Sequence, residues 1–255
     1  MAKLAEASRR TTEREPSLDR QPISTPQRPA RLYQEIAQRI STLIQQGGYQ
    51  PGDRLPAERD LAQRLHVSRP SAREAVIALE VAGIVEVRTG SGIYVRLAGP
   101  PGHARLRQFL AGDPGPGPYE ALEMRRLLEG EAAYRAATHI GPAELSVLRD
   151  TLAAMRDDPG PVPFRGDTAD RTFHELIATA SGNSVLAMMV HELWETRGTA
   201  LWQRWMERTR TAAMHLERVR EHERIIACLT ERDGIGARDA MQYHIEQVSS
   251  RFSQG

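Results

Sequence analysis

The stretch YQPGDRLPAERDLAQRLHVSRPSAREAVIALEVAGIVEVRTGSGIYVR, residues 49–96, decides the N-terminal architecture. Pro56 to Leu65 reads as one short helix with Leu61 and Leu65 facing inward. His66 and Val67 make a turn. Ser68 stands where a hydroxyl caps the next helix, which runs through Ala72, Val76 and Leu79 to Gly83. That is helix-turn-helix spacing, with Arg69 and Arg73 near the start of the second helix, where side chains reach base edges. Beyond it, Ile84–Arg88 and Ile93–Arg96 are short β-branched stretches flanking Thr89-Gly90-Ser91-Gly92. They read as a hairpin wing whose glycine-rich tip can approach a phosphate backbone closely. An isolated arginine on so Arg-rich a chain is simply solvated. Arg59, Arg69 and Arg73 at these spacings point instead to nucleic acid.

Working outward, RLYQEIAQRISTLIQQG carries helical spacing through Leu32, Ile36, Ile40 and Leu43 and stops at Gly47 and Gly48. Residues 1–28 are polar, rich in Arg, Glu, Ser, Thr and Pro, and read as a disordered tail. The N-terminal module therefore spans 29–97. Residues 98–118 hold two Gly/Pro-dense stretches, LAGPPGH and AGDPGPGPYE, and read as a linker with HARLRQFL as a short helical candidate. From Tyr119 onward every segment has helical spacing, including SVLAMMVHELWETRGTALWQRWMER taken as one piece. Residues 119–252 should be an all-helical bundle. The fold class expected is mainly α, a winged helix-turn-helix followed by that bundle.

The 255 residues and 28.4 kDa allow two ordinary cores. A net charge of +1 says nothing about partners, because a basic patch can hide in a neutral total. The one cysteine, Cys228, lies among Ile225, Ile226 and Leu229 and reads as a core residue. The longest apolar run, Val185 to Val190, is too short to span a bilayer, and the N-terminus has no apolar stretch of signal-peptide type. A cytoplasmic protein without a membrane partner is the expectation.

Four polar residues stand where the helices should be apolar. Asp170 and His174 are i, i+4 in TADRTFHELIATASGN. His222 shares a stripe with Val219, Ile226 and Leu229, and His244 lies on the side of Ala237, Ala240, Met241 and Val248. A buried carboxylate beside imidazoles is costly unless something pairs with it, and a divalent metal does so directly. One carboxylate and three neutral imidazoles suit Zn²⁺, with Ni²⁺ and Mn²⁺ as alternatives, and leave coordination positions over.

Residues 31–97, through PGDRLPAERDLAQRLHVSRPSAREAVIALEVAGIV and GSGIYV, resemble the winged helix-turn-helix of the GntR family of bacterial regulators. The resemblance implies that Arg59, Arg69 and Arg73 contact phosphate and a guanine, Ser68 and Ser71 phosphate, and Thr89-Gly90 the minor groove. Arginine's planar fork suits guanine O6 and N7. Residues 119–252 resemble the C-terminal domain of the FadR subgroup, through Glu123-Met-Arg125-Arg-Leu-Leu-Glu129, Asp170-x-x-x-His174 with Ser181-Gly182-Asn183, Glu221-His222 and His244. In many such members the Asp and three His hold a metal, and acyl-CoA-binding members lack that set.

The expected protein is a DNA-binding transcription regulator, a repressor in its commonest form and not an enzyme. It should act as a homodimer on a two-fold symmetric double-stranded operator, modulated by a small organic acid at the metal. Arg125 shares an inward stripe with Leu122, Leu128 and Ala132 and is the natural clamp for the far end of that anion, with a structural ion pair to Glu129 as the alternative. Two other readings stay open. One is a sensor of acyl-CoA-type or other ligands with a purely structural metal, the other a metal-dependent hydrolase, which lacks an obvious general base. Asn183 reads as a helix cap, and Trp194, Trp202 and Trp205 as core or dimer packing.

Overall fold

The structure, a computed structural model, describes residues 31–157, 165–207 and 212–251. The tail expected at 1–28 lies outside the described residues. Helix α1 (Leu32–Gln46) buries Tyr33, Ile36, Ala37, Ile40 and Ile44. Of the expected stripe only Ile36 and Ile40 are buried, while Leu32 is exposed and Leu43 half-buried, because the helix turns Tyr33, Ala37 and Ile44 inward instead. Helix α2 (Glu58–Leu65) turns Leu61, Ala62 and Leu65 into the same core and starts two residues later than the sequence suggests. His66 ends it in the left-handed region, φ 55°, and its amide bonds to the Gln63 carbonyl while that of Val67 bonds to Ala62. This closes the helix and turns the chain into the next one. Helix α3 (Arg69–Val81) opens on Ser68, whose hydroxyl accepts the Ser71 amide at 3.2 Å.

Strands β1 (Val85–Arg88) and β2 (Gly92–Val95) pair antiparallel, with Val85 opposite Val95 and Arg88 opposite Gly92. Gly90 takes φ +72° at the tip, a conformation other residues resist. Arg54 adds an isolated bridge to Tyr94, a third edge to the wing that local sequence spacing did not reveal.

Helix α4 (Gly99–Ala111) occupies much of the stretch expected as a linker. Its Pro100 and Pro101 sit in the first turn, where no amide is needed, and Leu106 is buried as the helix packs on α1. Glycine and proline here start a helix rather than interrupt one.

Helix α5 (Pro118–His139) is the axis of the second half. It packs against α7 (Arg165–Ala180), α8 (Ser184–Glu195), α10 (Ala212–Thr230) and α11 (Gly234–Arg251), while α6 (Pro142–Arg156) lies on α7 and α10. Ala132, Ala133, Ala136 and Ala137 are fully buried and allow this crowding. At Gly130 a Cβ would come within 2.8 Å of the Gln242 side chain on α11, so only hydrogen fits. Asn183 caps α8, accepting the amides of Val185 and Leu186. The segment read as one piece from Ser184 to Arg208 is broken. A 3-10 turn at Thr196–Gly198 separates α8 from α9 (Ala200–Glu207), because Thr199 is extended and its hydroxyl caps the new helix at the Trp202 amide. Among the described residues no helix is long and apolar enough to cross a membrane.

Candidate metal centre and nucleic-acid interface

Asp170 and His174 project from α7, His222 from α10 and His244 from α11, and all four are buried. One ligating atom from each lies within 4.8 Å of the others. The ring centroids of His222 and His244 are 4.4 Å apart, those of His174 and His244 5.2 Å. The sequence placed these residues on inward faces, and the packing brings them to one point.

Each imidazole is held from behind. His174 Nδ1 donates to Glu129 Oε2, His222 Nδ1 to the Arg218 carbonyl at 2.8 Å, and His244 Nδ1 to Glu221 Oε2 at 2.8 Å. A proton on Nδ1 leaves a lone pair on Nε2. Asp170 Oδ1, His174 Nε2 and His222 Nε2 are buried without a hydrogen-bond partner. Oδ1 approaches His222 Nε2 to 3.1 Å and His174 Nε2 to 3.7 Å, but lone pair faces lone pair. Buried polar atoms ordinarily find partners. Here the atom that would satisfy all of them at once is a divalent cation, and the donor set fits one.

The electrostatics agree. Burial pushes His174 below the usual imidazole range despite Glu129, and pushes His244 further below it, helped by His222 and His174. Both rings are therefore neutral at pH 7, the form that binds metal. Burial alone would raise Asp170, but the charge of Arg218 holds it well below the carboxylate range. Glu129 resists the same burial through Arg125 and His174 and stands at about 2.

Arg125 is paired with Glu129. Its Nε donates to Glu129 Oε1 at 2.6 Å, and its guanidinium lies 4.1 Å from the Trp194 ring centroid. Trp194 Nε1 also donates to Glu129 Oε1, at 3.2 Å. Arg197, in the 3-10 turn, donates from Nη1 to Asp170 Oδ2 at 3.1 Å and lies over the same indole. Trp194 is thus a wall of the site, while Trp202 and Trp205 pack in the core.

At the other end, Arg59, Ser68, Arg69, Thr89 and Gly90 are exposed and Ser71 is half-buried. Arg73 differs. Its Nε is paired with Glu58 Oε2 at 2.6 Å and its side chain is 11% exposed, so it braces α2 against α3 in this state.

A family model for bacterial regulatory proteins of the gntR family matches residues 32–95, and one for the FCD domain matches residues 120–247. The chain belongs to the GntR family. It is similar to the Exu regulon transcriptional regulator of Escherichia coli (strain K12), 37% identical over 86% of this chain and 84% of that one. The Uxu operon transcriptional regulator of the same strain is 34% identical over 87% of each. The solved Streptococcus agalactiae GntR is 27% identical, covering 86% of this chain and 99% of that one, with a TM-score of 0.43.

This GntR-family regulator is a DNA-binding transcription regulator with an effector-binding FCD domain, and the buried Asp/His cluster lies in the latter. Sequence reasoning missed three of its parts: Glu129 as the acceptor for His174, Glu221 as the acceptor for His244, and Arg197. Glu221 directly precedes His222, yet it serves a different histidine across a helix pair. Only the spacing of Arg125 and Glu129, i, i+4, offered a local signal.

Proposed function

We propose that this regulator holds a divalent metal, Zn²⁺ first and Ni²⁺ or Mn²⁺ as alternatives, at Asp170, His174, His222 and His244, and that a small organic acid bound there changes its grip on DNA. The carrying observation is the meeting of Asp170 Oδ1 with the Nε2 atoms of His174 and His222, buried and unpartnered. The metal would supply a Lewis-acidic anchor with positions left for an oxygen ligand.

Charge balance favours an anion. Three carboxylates, Asp170, Glu129 and Glu221, stand with three guanidiniums, Arg125, Arg197 and Arg218, among the described residues. A divalent cation then leaves positive charge that a small carboxylate offsets. Arg125 remains the candidate for the far end of a longer acid, exchanging one contact with Glu129 for the ligand.

Residues 29–97 act as the DNA-reading unit, 98–118 as the connection and 119–252 as the effector and dimerisation unit. Arg59, Ser68, Arg69, Ser71, Arg73, Thr89 and Gly90 meet operator DNA, with Arg73 exchanging Glu58 for a phosphate or base. A homodimer on a two-fold operator supplies the contact area one module lacks, and repression follows from occupying the promoter. The test is a thermal-shift screen of small carboxylates on metal-loaded and chelated protein. Stabilisation confined to the loaded form supports the reading, and equal stabilisation of both forms removes the metal from sensing.

A further inference from the structure

Asp170 divides its carboxylate between two tasks. Oδ1 faces the histidine nitrogens, and Oδ2 accepts from Arg197 at 3.1 Å. Arg197 belongs to no long helix. It sits in the three-residue turn Thr196–Gly198, and its guanidinium lies 4.3 Å from the Trp194 centroid and 5.7 Å from that of Trp202. Trp202 lies on the buried face of α9 with Leu201, and it meets Trp205 edge-on at 4.9 Å. Trp205 in turn meets Tyr119 of α5 at 5.9 Å. The short α9 is therefore a stiff piece hung directly on the turn that touches the metal site.

The other side of α9 touches the DNA-reading half. Arg204 donates through Nη2 to Glu80 Oε1 at 2.8 Å and through Nε to Oε2 at 3.0 Å, a two-pronged pair. Glu80 lies in the last turn of α3, and its Oε1 also accepts the Val87 amide of β1 at 3.1 Å. Its side chain is 6% exposed. One carboxylate thus ties together the helix that reads DNA, the wing and α9.

We propose that Arg197 reads the occupancy of the metal site and transmits it through α9 and Arg204 to Glu80, so setting the posture of α3 and the wing together. This rests on the metal-site reading above. A cation on Oδ1 draws charge from the Asp170 carboxylate and weakens its hold on Arg197. An anion on that cation offers Arg197 a fresh acceptor. The turn moves with the guanidinium, and α9, locked by its tryptophans, moves with the turn. Two sites are coupled only when an element between them has two arrangements that both sites bias, and α9 is that element.

The test is hydrogen–deuterium exchange of the full chain by mass spectrometry, first with Zn²⁺ alone and then with Zn²⁺ and acetate, in wild type, R197Q and R204Q. Arg204 is half-exposed, so R204Q keeps the fold even if R197Q does not. The expected result is protection of α7, α10 and α11 by Zn²⁺ in wild type and R204Q alike. In wild type the exchange of α9, α3 and the wing should change as well. In R204Q the response of α3 and the wing should vanish while that of α9 persists, and in R197Q all three should stay silent. Protection of α7, α10 and α11 with no response in wild-type α3, or an undiminished α3 response in R204Q, overturns the relay alone. No protection at α7, α10 and α11 overturns the metal reading, and the relay with it.

Discussion

Glu74, midway along α3, accepts the Tyr119 amide in the first turn of α5 at 2.5 Å. The same carboxylate explains Gly117, where a Cβ would come within 2.7 Å of Glu74 Oε2. The second helix of the helix-turn-helix is therefore fastened by its own glutamates to the C-terminal helices, at α5 through Glu74 and at α9 through Glu80. Glu74 serves one of the amides that every helix start leaves unpaired.

The fastening depends on pH. Burial raises Glu74 from 4.5 to about 8, opposed by the Tyr119 amide and reinforced by Glu120 and Glu123. Between those values the folded chain keeps a proton that the unfolded chain has lost, so stability falls as pH rises. The contribution is full below pH 4.5 and gone above about 8. E74Q keeps an acceptor for Tyr119 and cannot ionise. Its melting temperature should gain on wild type steadily across that window. Parallel curves for the two proteins would show that Glu74 does not titrate there.

Glu129 accepts hydrogen bonds from three side chains of the site, twice from Arg125 and once each from His174 and Trp194. E129Q should leave Arg125 buried beside a neutral amide and cost about 3–5 kcal/mol in a denaturant melt. It should also weaken metal binding by roughly 10–100-fold in a chelator competition, because one neutral amide oxygen must replace the two carboxylate oxygens that serve Arg125, Trp194 and His174, so His174 is oriented less firmly. Unchanged metal affinity in a destabilised E129Q would confine Glu129 to a structural role.

Removal of a ligand is a separate matter from removal of its support. H222A should copurify with little metal by elemental analysis, and its melting temperature should no longer respond to a chelator. Wild type should lose stability on chelation, since whatever binds only the folded state stabilises it. A full complement of metal in H222A would take His222 out of the ligand set.

On the DNA side, Arg69 is exposed at the first position of α3 while Arg73 is paired to Glu58. R69A should cost about 1–3 kcal/mol of operator affinity without altering the melt of the bundle. E58Q should weaken the hold on Arg73 and strengthen DNA binding at low salt, read by fluorescence anisotropy on a duplex selected by the wild-type protein. An R69A protein with wild-type affinity would displace the assignment of α3 as the reading helix.

The helix-turn-helix, the wing and the inward faces of Asp170, His174, His222 and His244 were legible because each rests on short-range periodicity and turn chemistry. Ser68 before a helical run and Gly90 at a tight tip act within a few residues. The start of α4 was hidden because Gly and Pro open helices as well as end them, and the break before α9 because it turns on the extended Thr199 and its cap to Trp202. The Arg125–Glu129 ion pair rests on i, i+4 spacing and so was open to the sequence as well. What only tertiary structure decided was long-range pairing. His174 finds Glu129 at a separation of 45 residues, His244 finds Glu221 at 23, and Arg204 finds Glu80 at 124. Local spacing determines which face a side chain shares, but which faces meet is set by how whole helices bury their apolar area against one another.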